Sequence, residues 1–225
     1  MGAVAAQLEG KLVKACEEGN TEACHSSVVD LQIHYGVAVE AVQELLGYAF
    51  SCAAVHNQTE IMELLLYPSN KTGSKSVPLS KDVHECLLYG MCRYEKYFPR
   101  RRRFQCCYAL RYLAYAAVVC VEQNALQALE FLIGQQIPPP LLVDTDVVRC
   151  FRVAMELGSD LNAPEPEAHR PMLMALLHRY PALLLAHVDG THDVDVSLDN
   201  TTRNHIEALR SSLLYEYVTN PQLHM

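Results

Sequence analysis

One outline occurs three times along this chain of 225 residues. It consists of a helix rich in small residues, a polar turn that contains an asparagine, and a second helix that runs from acidic residues to leucines. The three copies cover residues 12–24 (LVKACEEGNTEAC), 49–66 (AFSCAAVHNQTEIMELLL) and 115–133 (YAAVVCVEQNALQALEFLI). Because an amphipathic helix pair has to bury its apolar face against a neighbour, this recurrence predicts stacked helix pairs.

The spacing of apolar residues supports helices over most of the chain. Ile61, Leu64 and Leu65 form a stripe with separations of three and four, and a similar stripe begins at Leu126. Segments that alternate apolar and polar residues at period two are scarce, so we expect few strands. The sequence therefore predicts an all-α fold.

The turn asparagines give the period of the repeat. Asn20, Asn57 and Asn124 are separated by 37 and 67 residues, and the second spacing is close to twice 33. A further, degenerate unit is therefore expected between the last two, around residues 82–97. Clusters of Pro, Gly, Ser and Asn interrupt the helices, and they predict exposed loops at residues 67–80 and 188–203.

The family resemblance is clearest in the last third of the chain. Residues 147–163 (VVRCFRVAMELGSDLNA) resemble the second helix of an ankyrin repeat and its Gly-Ala-Asp-Val-Asn-Ala ending. Residues 169–188 (HRPMLMALLHRYPALLLAHV) resemble the Thr-Pro-Leu opening and helix pair of the next repeat, with Pro171 in the first helical turn. The chain is thus similar to a divergent ankyrin-repeat protein. The resemblance implies one domain, residues 1–225, an ankyrin-like helical solenoid of about four to six degenerate helix-pair repeats. A different α-solenoid or a compact helical bundle also fits the pattern.

Composition indicates a reducing compartment, the cytoplasm or nucleus. Nine cysteines lie mostly among apolar neighbours, and the first residues lack the apolar core of a secretory signal. The longest apolar stretch, residues 112–121, is about half the length that spans a bilayer. The net charge of −8 argues against nucleic-acid binding by the chain as a whole.

Recognised catalytic and metal-binding motifs are not found. Cys52 and His56 lie one helical turn apart, and His84, Cys86 and Cys92 lie close in sequence, but neither group has the spacing of a zinc site. There is no nucleophile elbow, phosphate-binding loop or His-Glu-x-x-His motif. We therefore expect no enzyme activity, metal or cofactor. The alternative is a helical-bundle enzyme or ligand-binding protein whose Cys and His residues meet in space.

The segment FPRRRRFQ is the main charged anomaly. Its arginine run consists of Arg100, Arg101, Arg102 and Arg103. Such a run can bind an acidic protein surface, a phosphate group, RNA or a nuclear import receptor. The alternative is a solvated loop, or pairing within the chain. The acidic residues considered for such pairing are Glu40, Glu44, Glu60 and Glu63.

Tyrosines crowd the same region. Tyr108, Tyr112 and Tyr115 fit a helical core, whereas Tyr94 and Tyr97 are expected to be exposed, where they could serve as interface anchors.

Taken as a repeat protein, the chain is predicted to bind another protein without chemistry of its own. By the resemblance, contacts come from the turns and the outward positions of the first helices. The candidate contact residues there are His56, Asn57, Gln123 and Asn124.

Overall fold

The computed structural model describes residues 3–67, 79–93, 96–98, 110–134, 141–158, 166–185 and 200–219. Within these ranges the protein has ten α-helices and no strand, apart from an isolated antiparallel bridge between Met91 and Arg111. The prediction of an all-α fold is confirmed. None of the described helices is long and apolar enough to cross a membrane.

The chain divides into two compact units, residues 1–120 and 121–225. A single repeat array and a pair of domains both divide in this way, because each repeat of a solenoid contacts mainly its neighbours. The single-domain assignment therefore stays a prediction. The helices of the first unit are α1 (Ala3–Glu18), α2 (Thr21–Tyr35), α3 (Glu40–Val55), α4 (Thr59–Leu66), α5 (Lys81–Tyr89) and most of α6 (Tyr112–Gln123).

In the first unit, two helix pairs lie side by side. Helix α1 packs against α2 and α3, α2 packs against α4, and α3 packs against α4. The first helices of the two pairs, α1 and α3, therefore contact each other, and so do the second helices, α2 and α4, as in stacked helix pairs. Helix α3 is central because its small residues allow close approach: Ala49, Ala53 and Ala54 are fully buried, together with Phe50.

Helix α5 packs against α3 and α4 but does not begin another helix pair. After Gly90 the chain becomes extended: the N–H of Cys92 donates to the carbonyl of Leu110 (2.8 Å), and the N–H of Tyr112 donates to that of Gly90 (3.0 Å). The expectation of a degenerate repeat at residues 82–97 is therefore wrong for the described part of that stretch. The extended backbone pairs with the start of α6 instead of forming a second helix.

The second unit contains α7 (Leu126–Gly134), α8 (Asp144–Gly158), α9 (Arg170–Arg179) and α10 (Asn200–Thr219), with 3-10 turns at Pro166–His169 and Pro181–Leu185. Helix α9 packs against α7 and α8, and α10 packs against α8. An ion pair between Arg170 and Glu216 joins α9 to α10. Pro171 lies in the first turn of α9, as predicted.

At their described ends, the two predicted loops differ from the structure. Leu79 is buried and Ser80 is the N-cap of α5, so the end of the 67–80 prediction belongs to the core. Helix α10 begins at Asn200, inside the predicted loop at 188–203, because residues from there on have a helical pattern. Residues 68–78 and 188–199 lie outside the described ranges.

Candidate functional site

The three predicted turns have the same backbone conformation at one position. Gly19, Asn57 and Asn124 all have positive φ, at 74°, 56° and 61°. Glycine and asparagine tolerate this left-handed region better than other residues, which explains their presence there. The structural equivalent of the two later asparagines is thus Gly19, and the alignment that used Asn20 is wrong by one residue.

The first two turns are closed by the same hydrogen bond. The N–H of Asn20 donates to the carbonyl of Ala15, and the N–H of Gln58 donates to that of Ala53, both at 2.9 Å. This bond, made just after a left-handed residue, defines the Schellman end of a helix. In the third turn, the N–H of Asn124 donates to the carbonyl of Val121 at 3.4 Å. Each turn therefore satisfies much of its backbone locally.

Asn20 is not the left-handed residue of the first turn. It is the N-cap of α2, and its side-chain oxygen accepts a hydrogen bond from the N–H of Ala23 at 2.9 Å. N-capping by asparagine supplies an acceptor to an N–H group that has no partner within the helix.

The first two turns are in contact. The side-chain amide of Gln58 donates to the carbonyl of Glu17 at 3.2 Å. A Cβ atom placed on Gly19 would lie only 2.4 Å from Oε1 of Gln58. Glycine is therefore favoured at position 19 by its positive φ, and a larger residue there would displace the end of the Gln58 side chain. The two turns form a continuous surface on the first unit, which we call the paired-turn surface: residues 17–20 and 56–58.

His56 and Asn57 lie on the paired-turn surface. His56 is exposed, and its Nδ1 donates to the carbonyl of Cys52 at 2.9 Å, since a carbonyl can only accept. Asn57 is half-buried. Gln123 and Asn124 are both exposed at the turn between α6 and α7, in the second unit. All four predicted contact residues thus lie at helix-pair turns, and their role in binding stays a prediction.

The paired-turn surface and its flanks carry negative charge. The exposed acidic side chains there are Glu17, Glu18, Glu22 and Glu60. Lys14 lies 3.6 Å from Glu18, and both side chains are more than half exposed, so the pair contributes little to stability.

Tyr97 is buried, and the expectation that it is exposed is wrong. Its ring lies 5.4 Å from that of Tyr48 on α3, and Nζ of Lys96 lies 4.7 Å from the ring centroid. Burial raises the pKa of the Tyr97 hydroxyl. The burial of Tyr97 cannot be predicted from its neighbours in the sequence, because its partner Tyr48 is distant in sequence. Tyr94 and Tyr108 lie outside the described residues.

The arginine run also lies outside the described residues, but the chain on both sides of it is anchored. Lys96 pairs with Glu9 on α1 at 2.7 Å. Phe98 is fully buried, with its ring stacked on Tyr112 at 5.5 Å and edge-on to Tyr115 at 4.9 Å. Tyr112 and Tyr115 are buried, as predicted for a helical core.

A buried carboxylate, that of Glu44, fixes the backbone at Arg93. Glu44 is fully buried and accepts a hydrogen bond from the backbone N–H of Arg93 at 2.6 Å. The guanidinium of Arg93 pairs with Glu40, one helical turn earlier, at 2.7 Å. Two of the acids considered as partners for the arginine run therefore contact Arg93. In the sequence, the signal for this burial is an acidic residue that lies among apolar neighbours.

Among the described residues, the cysteines and histidines considered for the alternative function do not converge on a metal site. In the described part of the chain, no group of three or more His, Cys, Asp or Glu side chains is placed to hold a metal ion. Nδ1 of His84 donates to the carbonyl of Leu65 at 2.7 Å, whereas the thiol of Cys86 points to the carbonyl of Gln43 at 3.9 Å. The two side chains thus have separate backbone partners.

Three buried or half-buried thiols are poor nucleophiles near pH 7. Burial raises the pKa of Cys52 to about 11 and that of Cys86 to about 12. Burial and the Asp146 carboxylate raise the pKa of Cys150 to about 12. These groups are therefore neutral near pH 7, and neutral thiols attack electrophiles slowly. Cys24 is fully buried in its helix, beside a partly exposed His25.

Comparison with known proteins adds no relative: no protein-family model, no curated protein and no solved structure matches the chain. The ankyrin-repeat resemblance therefore depends on the quoted residues alone and stays a prediction.

Proposed function

We propose that this protein is a non-enzymatic protein-interaction module, an ankyrin-like helical solenoid that acts in the cytoplasm or nucleus. The observation that carries the proposal is the recurrence of one turn conformation at Gly19, Asn57 and Asn124. The stacking of the α1/α2 and α3/α4 pairs supports it, since stacked pairs place successive turns in one row.

The proposed contact surface on the first unit is the paired-turn surface. Its backbone groups are largely satisfied within the turns, so the exposed His56 and the surrounding acidic side chains are what a partner meets. A partner that supplies basic groups and hydrogen-bond donors at this surface fits the charge of Glu17, Glu18 and Glu60. Gln123 and Asn124 are the corresponding proposed contacts on the second unit.

Affinity capture with matched variants tests the proposal. Asn57→Gly removes the side chain and keeps a residue that favours positive φ, so the variant His56→Ala/Asn57→Gly alters the surface without straining the turn. The control variant Asn204→Ala/Glu207→Ala changes two exposed residues inside α10, away from the helix-pair turns. We expect wild type and control to retain the same protein partner and the turn variant to lose it. Identical retention by all three contradicts the proposed surface.

A metal assay tests the alternative class of function, a metal-binding or catalytic helical bundle. Stoichiometric zinc in the purified protein would contradict a purely non-enzymatic interaction module, because a structural or catalytic metal needs the Cys and His convergence that the described residues lack.

A second candidate function is binding of an anionic group by the arginine run. The observation that favours it is that Phe98, before the arginine run, and Leu110, after it, are both buried in the core of the first unit. A chain segment that is held at both ends loses less conformational entropy when it is ordered on a partner such as an acidic protein surface or RNA. Changing all four arginines to Ser is expected to leave folding intact and to abolish salt-dependent retention on heparin or RNA. Unchanged retention would remove this candidate.

A further inference from the structure

The first helix pair holds two thiols in direct contact. The Sγ atoms of Cys16 on α1 and Cys24 on α2 lie 3.7 Å apart, and neither side chain is exposed. We infer that Cys16 and Cys24 form a reversible disulfide that cross-links α1 to α2 when the protein meets a peroxide. This inference does not depend on the proposed binding function, since it concerns packing within one helix pair.

The turn between the two helices fixes the relative position of the cysteines. The N–H of Asn20 donates to the carbonyl of Ala15, next to Cys16, and the N–H of Cys24 donates to the carbonyl of Asn20, both at 2.9 Å. The backbone of Asn20 is therefore hydrogen-bonded next to Cys16 and at Cys24. The sulfur atoms have to move from 3.7 Å to the roughly 2.0 Å of a disulfide, which side-chain rotation can supply while the turn stays closed.

The chemistry of a disulfide fits a site without solvent. Thiols and disulfides are both weakly polar, so the oxidised pair can stay in the core, whereas a sulfinic or sulfonic acid would place charge there. In the first step one thiol reduces the peroxide, which yields a sulfenic acid and one water. In the second step the other thiol attacks that sulfur, the S–S bond forms, and the oxygen leaves as a second water. Two thiols and one hydrogen peroxide thus give one disulfide and two waters.

Access to the pair is controlled by the packing of α1. The contact with Cys24 and burial raise the pKa of the Cys16 thiol far above its usual range, so little reactive thiolate exists in the closed structure. Helix α1 packs mainly against α2 and α3, and its separation from them exposes Cys16. The disulfide should therefore form slowly in water and faster in low concentrations of urea that promote this opening.

Peptide mapping of the full-length protein tests the inference. The chain is treated with hydrogen peroxide, alkylated and digested with a protease that cleaves after glutamate, because Glu17, Glu18 and Glu22 separate the two cysteines. We expect one linked peptide pair containing Cys16 and Cys24 that dithiothreitol separates. Separate alkylation or separate oxidation of the two cysteines, or a cross-link of either one to Cys52, would overturn the inference.

A stability measurement provides a second readout. Closing so short a loop is expected to raise the Tm of the first unit by roughly 10 °C. The Tm of Cys24→Ala should not respond to peroxide, whereas the control Cys150→Ala, which removes a buried thiol of the second unit, should keep the shift. Equal shifts in all three proteins would contradict the assignment to this pair.

Discussion

The side-chain amide of Gln58 donates a hydrogen bond to the backbone carbonyl of Glu17, 3.2 Å away, and so joins the second helix-pair turn to the first. The two residues are 41 positions apart. The bond fills acceptor capacity at the carboxyl end of α1 that the helix itself leaves open. It also sets the distance between neighbouring turns on the paired-turn surface.

Gln58→Ala is expected to reduce the free energy of unfolding of the first unit by about 1 kcal/mol, the usual contribution of one such hydrogen bond. Urea unfolding followed by circular dichroism measures this change. The matched control is Gln127→Ala, at an exposed position of α7, which should change stability by less than about 0.5 kcal/mol. Equal effects at the two positions would mean that the contact between the turns contributes nothing.

Gly47→Ala is expected to destabilise the first unit by about 1–3 kcal/mol, because overpacking forces neighbouring atoms to move. A Cβ atom at Gly47 would lie 2.4 Å from Cδ1 of the buried Tyr112 ring. The control is Gly10→Ala on α1, where nothing lies within 4 Å and alanine should stabilise the helix by about 0.5–1 kcal/mol.

The clash at Gly47 can be checked with a second background. In a Tyr112→Leu protein the ring is gone, so Gly47→Ala should cost much less than it does in the wild type. The same cost in both backgrounds would show that the ring of Tyr112 is not the reason for the glycine.

Glu44→Leu is expected to cost about 1–3 kcal/mol, since it leaves the backbone N–H of Arg93 without its carboxylate acceptor. Glu44→Gln keeps an oxygen acceptor in a side chain of the same shape and should cost less. Urea unfolding compares the two variants, and amide hydrogen exchange at Arg93 reports the bond itself. If Leu is tolerated as well as Gln, the carboxylate does not hold this segment.

Alkaline pH should destabilise the second unit through Cys150. Its folded pKa of about 12 is above that of an exposed thiol near 9, so the folded state retains a proton that the unfolded state loses. The stabilisation is complete below about pH 9 and is lost as the pH rises towards 12, with a slope of at most about 1.4 kcal/mol per pH unit. Unfolding measured from pH 8 to 11 should show a shallower decline for Cys150→Ala. Parallel curves would exclude the thiol as a cause.

The sequence was sufficient for the features that depend on local chemistry. Apolar residues at helical spacing predicted the helices, and asparagines between two such stripes predicted the turns at Asn57 and Asn124, because a short polar side chain tolerates positive φ. The same reasoning misaligned the first turn, where glycine holds the left-handed position and Asn20 caps the next helix.

Features that depend on distant residues could not be predicted. The prediction that Tyr97 is exposed is wrong, because its burial depends on Tyr48, which belongs to α3. Glu44 was considered only as a partner for the arginine run, whereas its acceptor role requires the backbone of Arg93, 49 residues away. The spacing of apolar residues along the chain, whether every second residue in a strand or every third and fourth in a helix, carries no information on such partners.

The affinity of a captured partner for turn variants tests the central claim most directly. With the partner identified and purified, its Kd is measured for wild type, for His56→Ala/Asn57→Gly and for the control Asn204→Ala/Glu207→Ala, after circular dichroism has shown that all three are folded. Binding through the paired-turn surface predicts a Kd at least about tenfold higher for the turn variant, since contact residues of this kind cost more than about 1 kcal/mol when truncated, and no change for the control. The same Kd for all three proteins would contradict the account.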